Sequence, residues 1–85
     1  MSGYSKIDRH ADLVGEMARV RGVDIGDAML DGKLSAEAYR NAVRRCTGCE
    51  CPEACEVWLS EHSDGANATP EYCRNGYLLA RLSTA

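Results

Sequence analysis

Phenylalanine is absent from this 85-residue chain and tryptophan occurs once, so with four tyrosines aromatic core material is scarce. Long hydrophobic runs are missing too. No segment approaches the ~20 consecutive apolar residues that a membrane-spanning helix needs. The first residues, MSGYSKIDRHADLV, contain no apolar h-region, so a secretory signal is not expected. Thiols are then expected to stay reduced in a cytoplasmic setting, and the sequon Asn67-Ala68-Thr69 carries no weight. Positive charge runs short in the second half. Residues 46–85 hold two arginines against six Asp/Glu, whereas residues 1–45 hold eight Lys/Arg against seven Asp/Glu. A net charge of −3 with an acidic second half argues against nucleic acid, which demands a concentrated basic surface. No Gly-rich phosphate loop and no H-E-x-x-H occur. Cys49 is followed by Glu50 rather than completing C-x-x-C-H, which excludes covalent haem attachment. No catalytic constellation emerges, and no enzyme activity is expected.

What is present is helical pattern and sulfur. No alternating strand pattern, internal repeat or low-complexity stretch interrupts the chain, which reads as one domain over residues 1–85. A domain this small buries only ~60–65% of its unfolded surface, so a cross-link or a metal would add materially to its stability. The first helix is expected over residues 5–21, with Ile7, His10, Val14, Met17 and Arg21 near one face and Leu13 and Val20 widening it. Gly22 stops it. Asp24 caps a short second helix with Ile25, Ala28 and Met29 on its apolar side, and Gly32 fits its C′ stop. Ser35 caps a third helix whose stripe is Ala38, Tyr39, Ala42, Val43 and Cys46. A tight connection follows, in which Gly48 is free to take a positive φ. Pro52 suits the first position of a fourth helix, which runs to about His62 with Cys55, Trp58, Leu59 and His62 on one face. Trp58 reads as the main core anchor. Thr69-Pro70-Glu71 has the composition of a helix start, giving a fifth helix to about Leu82. Its expected line is Cys73, Gly76, Tyr77 and Ala80, broadened by Leu78, Leu79 and Leu82. The architecture is an all-α bundle of four to five short helices, with a cysteine-rich loop between helices three and four.

The five cysteines lie at Cys46, Cys49, Cys51, Cys55 and Cys73, four of them within ten residues. Two residues between thiols let both sulfurs reach one ion, so Cys46-x2-Cys49 is a chelating unit. Cys51 and Cys55 would meet on one face if Cys51 caps helix four, and Cys73 could return as a distal ligand. An all-thiolate set suits zinc or an iron–sulfur cluster, although the spacing matches neither ferredoxin pattern nor the paired knuckles of a zinc ribbon. Plain burial competes with this reading, because Cys46, Cys55 and Cys73 all fall on apolar faces where a free thiol is a small hydrophobe. Thiol redox chemistry also competes: Cys51 and Cys73 sit near expected helix starts, and Arg44, Arg45 and Arg74 could supply positive charge. Glu50, Glu53 and Glu56 oppose it, and the odd count fits a full disulfide set poorly. His62 reads as a helix-end cation, and His10 as a helix-face residue with no metal role.

Three segments carry a resemblance: Arg45-Cys46-Thr47-Gly48-Cys49, then Pro52-Glu53-Ala54-Cys55-x-x-Trp58-Leu59, then Pro70-x-Tyr72-Cys73-x-Asn75. With Gly22-Val23-Asp24 and Gly32-Lys33-Leu34-Ser35 upstream, they resemble a family of short bacterial proteins of unknown function over roughly residues 10–82. The resemblance implies a compact helical domain with four recurring cysteines, here Cys46, Cys49, Cys55 and Cys73. Cys51 is an extra in this chain, as a substitute ligand, a resolving thiol or a bystander.

The expectation that follows is a small cytoplasmic protein holding an iron–sulfur cluster or structural zinc through Cys46, Cys49, Cys55 and Cys73. It would serve electron transfer or redox or iron sensing as a monomer or weak homodimer, with a protein partner and with neither nucleic acid nor membrane. The alternative is a non-enzymatic interaction module whose cysteines are core residues or form disulfides such as Cys49–Cys51 or Cys46–Cys55.

Overall fold

A computed structural model describes residues 5–83. Among them run five helices and no strand: α1 (Lys6–Val20), α2 (Ile25–Leu30), α3 (Ala36–Thr47), α4 (Pro52–Glu61) and α5 (Gly76–Ser83). Local chemistry sets most of the boundaries. Ser5 and Asp8 close a reciprocal capping box at the start of α1, with Asp8 N–H donating to Ser5 Oγ and Ser5 N–H to Asp8 Oδ2, both at 3.2 Å. Such a box satisfies two amides that the helix itself cannot. Asp24 and Ser35 cap α2 and α3 through the amides of Asp27 and Ala38. The first two helices end alike. Gly22 and Gly32 take φ of 79° and 77°, and the residue after each donates back to a carbonyl five positions earlier: Val23 to Ala18 at 2.8 Å and Lys33 to Ala28 at 2.9 Å. Only glycine adopts that conformation without strain.

The core joins all five helices. Met17, Ala18 and Val20 of α1, Ala28 of α2, Leu34 before α3, Cys55 and Leu59 of α4, and Leu79 and Leu82 of α5 pack in one cluster, and Ala38, Tyr39 and Cys46 of α3 pack against it. α1 is the central element. Ile7 and Ala11 line a groove with Val43 and Thr47, so its first half faces the last turns of α3. Arg9 reaches Glu56 near the start of α4 at 3.0 Å, and Arg19 reaches the Ser63 carbonyl beyond its end at 3.5 Å. α1 therefore runs antiparallel to α3 and parallel to α4. This brings the end of α3, the 48–51 connection and the start of α4 to one end of the bundle. At the other end Arg21 donates to the Ala66 carbonyl and to Ser83 Oγ, both at 3.1 Å, and Ala66 N–H donates to the Val20 carbonyl at 2.8 Å. The 62–68 loop and α5 are thereby tied to the C-terminus of α1.

Several expectations need correction. The fifth helix begins at Gly76, not at Thr69. Residues 70–75 form successive turns, with Cys73 N–H donating to the Pro70 carbonyl and Gly76 N–H to the Cys73 carbonyl. The cause is Asn75, whose side chain is drawn into the bundle and anchors this segment on α3. Tyr77 (86% exposed) and Ala80 face away from the core, and Leu79 and Leu82 are the buried residues of α5. Gly48 has φ −84° and closes α3 in an ordinary right-handed conformation. Ile7 is exposed. Trp58 is half-buried at the edge of the core, stacked on His62, and the deepest positions belong to Leu79, Ala18 and Ala42 instead.

Candidate metal centre

Two separate stretches of chain meet at the thiol end of the bundle. Cys46 is the penultimate residue of α3, Cys49 follows in the connection, and Cys55 lies one turn into α4. Cys73 sits in the turns ahead of α5, so the α3-to-α4 segment and the pre-α5 segment both contribute. Two hydrogen bonds bring the second segment in. Asn75, 4% exposed, donates from Nδ2 to the Ala42 carbonyl at 2.9 Å and accepts from Arg45 Nε at 2.9 Å. Cys49 Sγ adds a contact from the other side, donating to the Tyr72 carbonyl at 3.8 Å. Gly76 allows the turns to close. A Cβ there would stand 2.7 Å from Thr69 Oγ1, and the Thr69 hydroxyl donates to the Cys73 sulfur.

All five cysteines are free thiols, Cys55 buried and the others half-buried. The disulfides weighed from the sequence are not formed. The electrostatics separate four of the five. Burial pushes the Cys55 thiol up to about 12, with Cys73, Cys46, Cys49 and Glu56 adding repulsion in that order. Burial likewise raises Cys46 to about 11, assisted by Cys49 and Cys73. Cys73 is raised by burial and by Cys49, opposed by hydrogen bonds from the Asn75 amide and the Thr69 hydroxyl. Cys46, Cys49, Cys55 and Cys73 thus lie within one another's fields. Cys51 is not among the groups that raise Cys46, Cys55 and Cys73; it acts on Tyr72, which is raised by burial first and then by Cys55, Cys51, Cys49 and Cys73.

One sulfur already has an amide donor, Cys51 N–H to Cys49 Sγ at 3.5 Å, from the residue two positions on. Such donors stabilise negative sulfur. Among the described residues, however, no three His, Cys, Asp or Glu groups are gathered tightly enough to hold a metal ion. The four thiols are neighbours that a shared cation would have to draw together.

Raised thiol pKa values oppose a nucleophilic role at neutral pH, since the thiolate is the reactive form. Cys73 does not sit at the start of a helix as its sequence context suggested, because α5 begins three residues later.

Both histidines fix their tautomer by donating from Nδ1 to a carbonyl four residues earlier, His10 to Lys6 and His62 to Trp58, each at 2.8 Å. A carbonyl only accepts, so Nδ1 carries the proton. His62 stacks on Trp58 at 4.0 Å, seven residues and about 10 Å along α4 from Cys55. His10 differs. It is 2% exposed and its Nε2 is buried with no hydrogen-bond partner among the described residues. Successive residues on α1 are separated by about 100°. His10 therefore points between the edge that Arg9 turns to α4 and the edge that Ile7 and Ala11 turn to α3, at the end of the bundle that carries Cys46 and Cys55. Its spacing with Val14 and Met17 placed it on the buried face. The unpaired Nε2 became visible only with the neighbours in place.

The model of a family of unknown function (DUF6455) matches residues 1–85, and the chain belongs to that family. No curated protein and no solved structure matches it. No helix among the described residues is long and apolar enough to cross a membrane.

Proposed function

We propose that this member of a family of unknown function is a metal-binding protein whose centre is held by Cys46, Cys49, Cys55 and Cys73. The observation that carries the reading is the convergence of four thiols, from two segments far apart in sequence, at one end of the bundle. There the thiolates repel one another and are penalised by burial. A cation bound among them removes both penalties at once. The amide donor at Cys49 supports the same reading, because hydrogen bonds to sulfur tune and stabilise thiolate sites. An iron–sulfur cluster held there would equip the protein for electron transfer or redox sensing. Zinc would make the site structural, joining α3, α4 and the turns before α5. Cys51, outside the group, is a bystander whose amide serves Cys49.

A second reading draws on Cys55, which is 8% exposed and part of the apolar cluster. In it the thiols are core residues of an interaction module. One experiment separates the two: anaerobic purification followed at once by an absorption spectrum and elemental analysis. Iron with sulfide and broad visible absorption supports a cluster, and stoichiometric zinc without colour supports a structural site. If neither metal is present and five free thiols are counted, the metal reading falls and the interaction module stands.

A further inference from the structure

Residues 46–85 are strongly acidic, and their only two cations are Arg74 and Arg81. Both line a single cleft of about 340 Å³ between α3 and α5, together with Arg45 from the other half of the chain. Asn41, Tyr77 and Leu78 also contribute, and among the described residues no carboxylate side chain lines the cleft. In a chain of net charge −3, Arg45 and Arg74 bring two positive charges from separate segments to one concavity, where an anion would be attracted by both.

Arg45 is held in place. Its Nε donates to Asn75 Oδ1 at 2.9 Å, and Asn75 is itself buried and bonded to Ala42. The guanidinium is anchored by the nitrogen nearest its stem, with its terminal nitrogens beyond the anchor. A planar fork oriented in this way suits an oxyanion that accepts two parallel hydrogen bonds. Arg74 enters from the turns before α5 and Arg81 from the second turn of that helix. α5 begins at Gly76, so its positive end adds to the same field. Tyr77 is 86% exposed, an unusual position for a large aromatic ring, and with Leu78 it offers an apolar wall beside the charges. The volume is at the lower end of the range for small-molecule sites.

We propose that the cleft lined by Arg45, Arg74, Arg81 and Tyr77 binds a small phosphate ester, its phosphate between the guanidinium groups and a planar ring against Tyr77. This site is distinct from the thiol centre and does not depend on a metal being bound there.

The test is a titration of the isotope-labelled full chain with phenyl phosphate, followed by amide and arginine side-chain NMR, at ionic strength fixed with sodium chloride. Saturable shifts confined to residues around Arg45, Arg74 and Tyr77 are expected. Arg74→Gln, at an exposed position, should weaken binding about tenfold or more by removing charge-assisted hydrogen bonds. Tyr77→Ala should weaken phenyl phosphate while leaving inorganic phosphate unaffected. Three results would overturn the assignment: no saturable shifts, shifts reproduced by chloride alone, or binding indifferent to Arg74→Gln. Tighter binding of a glutamate-rich peptide than of phenyl phosphate would also overturn it, and would make the cleft a docking site for an acidic protein.

Discussion

Replacing Asn75 with alanine is the sharpest test of how the two cysteine segments are held together. The side chain is 4% exposed and makes two long-range hydrogen bonds at 2.9 Å, one to the Ala42 carbonyl and one from Arg45 Nε. A net neutral hydrogen bond contributes about 1 kcal/mol, and one to a charged group about 1.5 kcal/mol or more. Arg45 is exposed, so the lower figure applies to it, and the loss should be about 2 kcal/mol in total. A domain of this size has roughly 4–13 kcal/mol of stability, so the substitution removes a substantial share. In urea, with a slope of about 1 kcal/mol/M, the midpoint should fall by about 2 M without a change in slope. Asn75→Asp should be at least as damaging at pH 7, because a carboxylate oxygen would face the Ala42 carbonyl. A double-mutant cycle with Arg45→Ala isolates the Arg45 contribution. Alkylation followed by mass spectrometry adds a local readout: Cys73 should label faster in Asn75→Ala, with Cys46 less affected. A loss below about 0.5 kcal/mol, with unchanged labelling of Cys73, would refute the anchoring role.

Three further outcomes are expected. The metal-free protein should lose stability as pH rises above 9. The folded-state values of Cys46 and Cys55 are raised from 9.0 to about 11 and about 12, so the native state keeps protons that the unfolded chain releases. The stabilisation is complete below pH 9 and is lost between 9 and 12, at up to about 1.4 kcal/mol per pH unit for each thiol; a midpoint in urea that stays constant from pH 8.5 to 10.5 would contradict this. His10→Phe should leave the metal-free stability within about 1 kcal/mol of the parent, because Nε2 has no partner among the described residues and only the Nδ1 bond to the Lys6 carbonyl is lost, at about 1 kcal/mol. A larger loss by thermal or urea denaturation would show that Nε2 is engaged. Gly15→Ala in α1, where an added Cβ meets nothing within 4 Å, should stabilise by about 1 kcal/mol. Gly22→Ala, at φ 79°, should destabilise by about 1 kcal/mol, and equal midpoints for the two variants in urea would contradict both assignments.

Much of the bundle was legible along the chain because its determinants are local. Ser5, Asp24 and Ser35 reveal helix starts through their own side chains, and Gly22 and Gly32 reveal stops through the only backbone conformation that such turns permit. Pro52 marks the first position of α4. The three- and four-residue spacing of Val14, Met17, Ala42, Val43, Cys55 and Leu59 shows which faces are buried. The family resemblance, read from the cysteine segments and their neighbours, led to the family to which the whole chain belongs.

The errors lie where a distant partner overrules the local signal. Thr69-Pro70-Glu71 has the chemistry of a helix start, but Asn75 bonds to α3 and holds residues 70–75 in turns. That displacement rotates the face of α5 that is buried, so Tyr77 lies outside and Leu79 inside. The same tie carries Cys73 toward cysteines 18 to 27 positions earlier in the chain, and it sets Arg45 and Arg74 on one cleft. Spacing alone determined that Cys46 and Cys49 stand close, since a separation of three positions is a local relation. Only the tertiary structure decided that Cys55 and Cys73 share their field, and that His10 buries a nitrogen with no partner among the described residues. Both outcomes depend on how α1, α3, α4 and the turns before α5 pack, and no residue's nearest neighbours in sequence encode that packing.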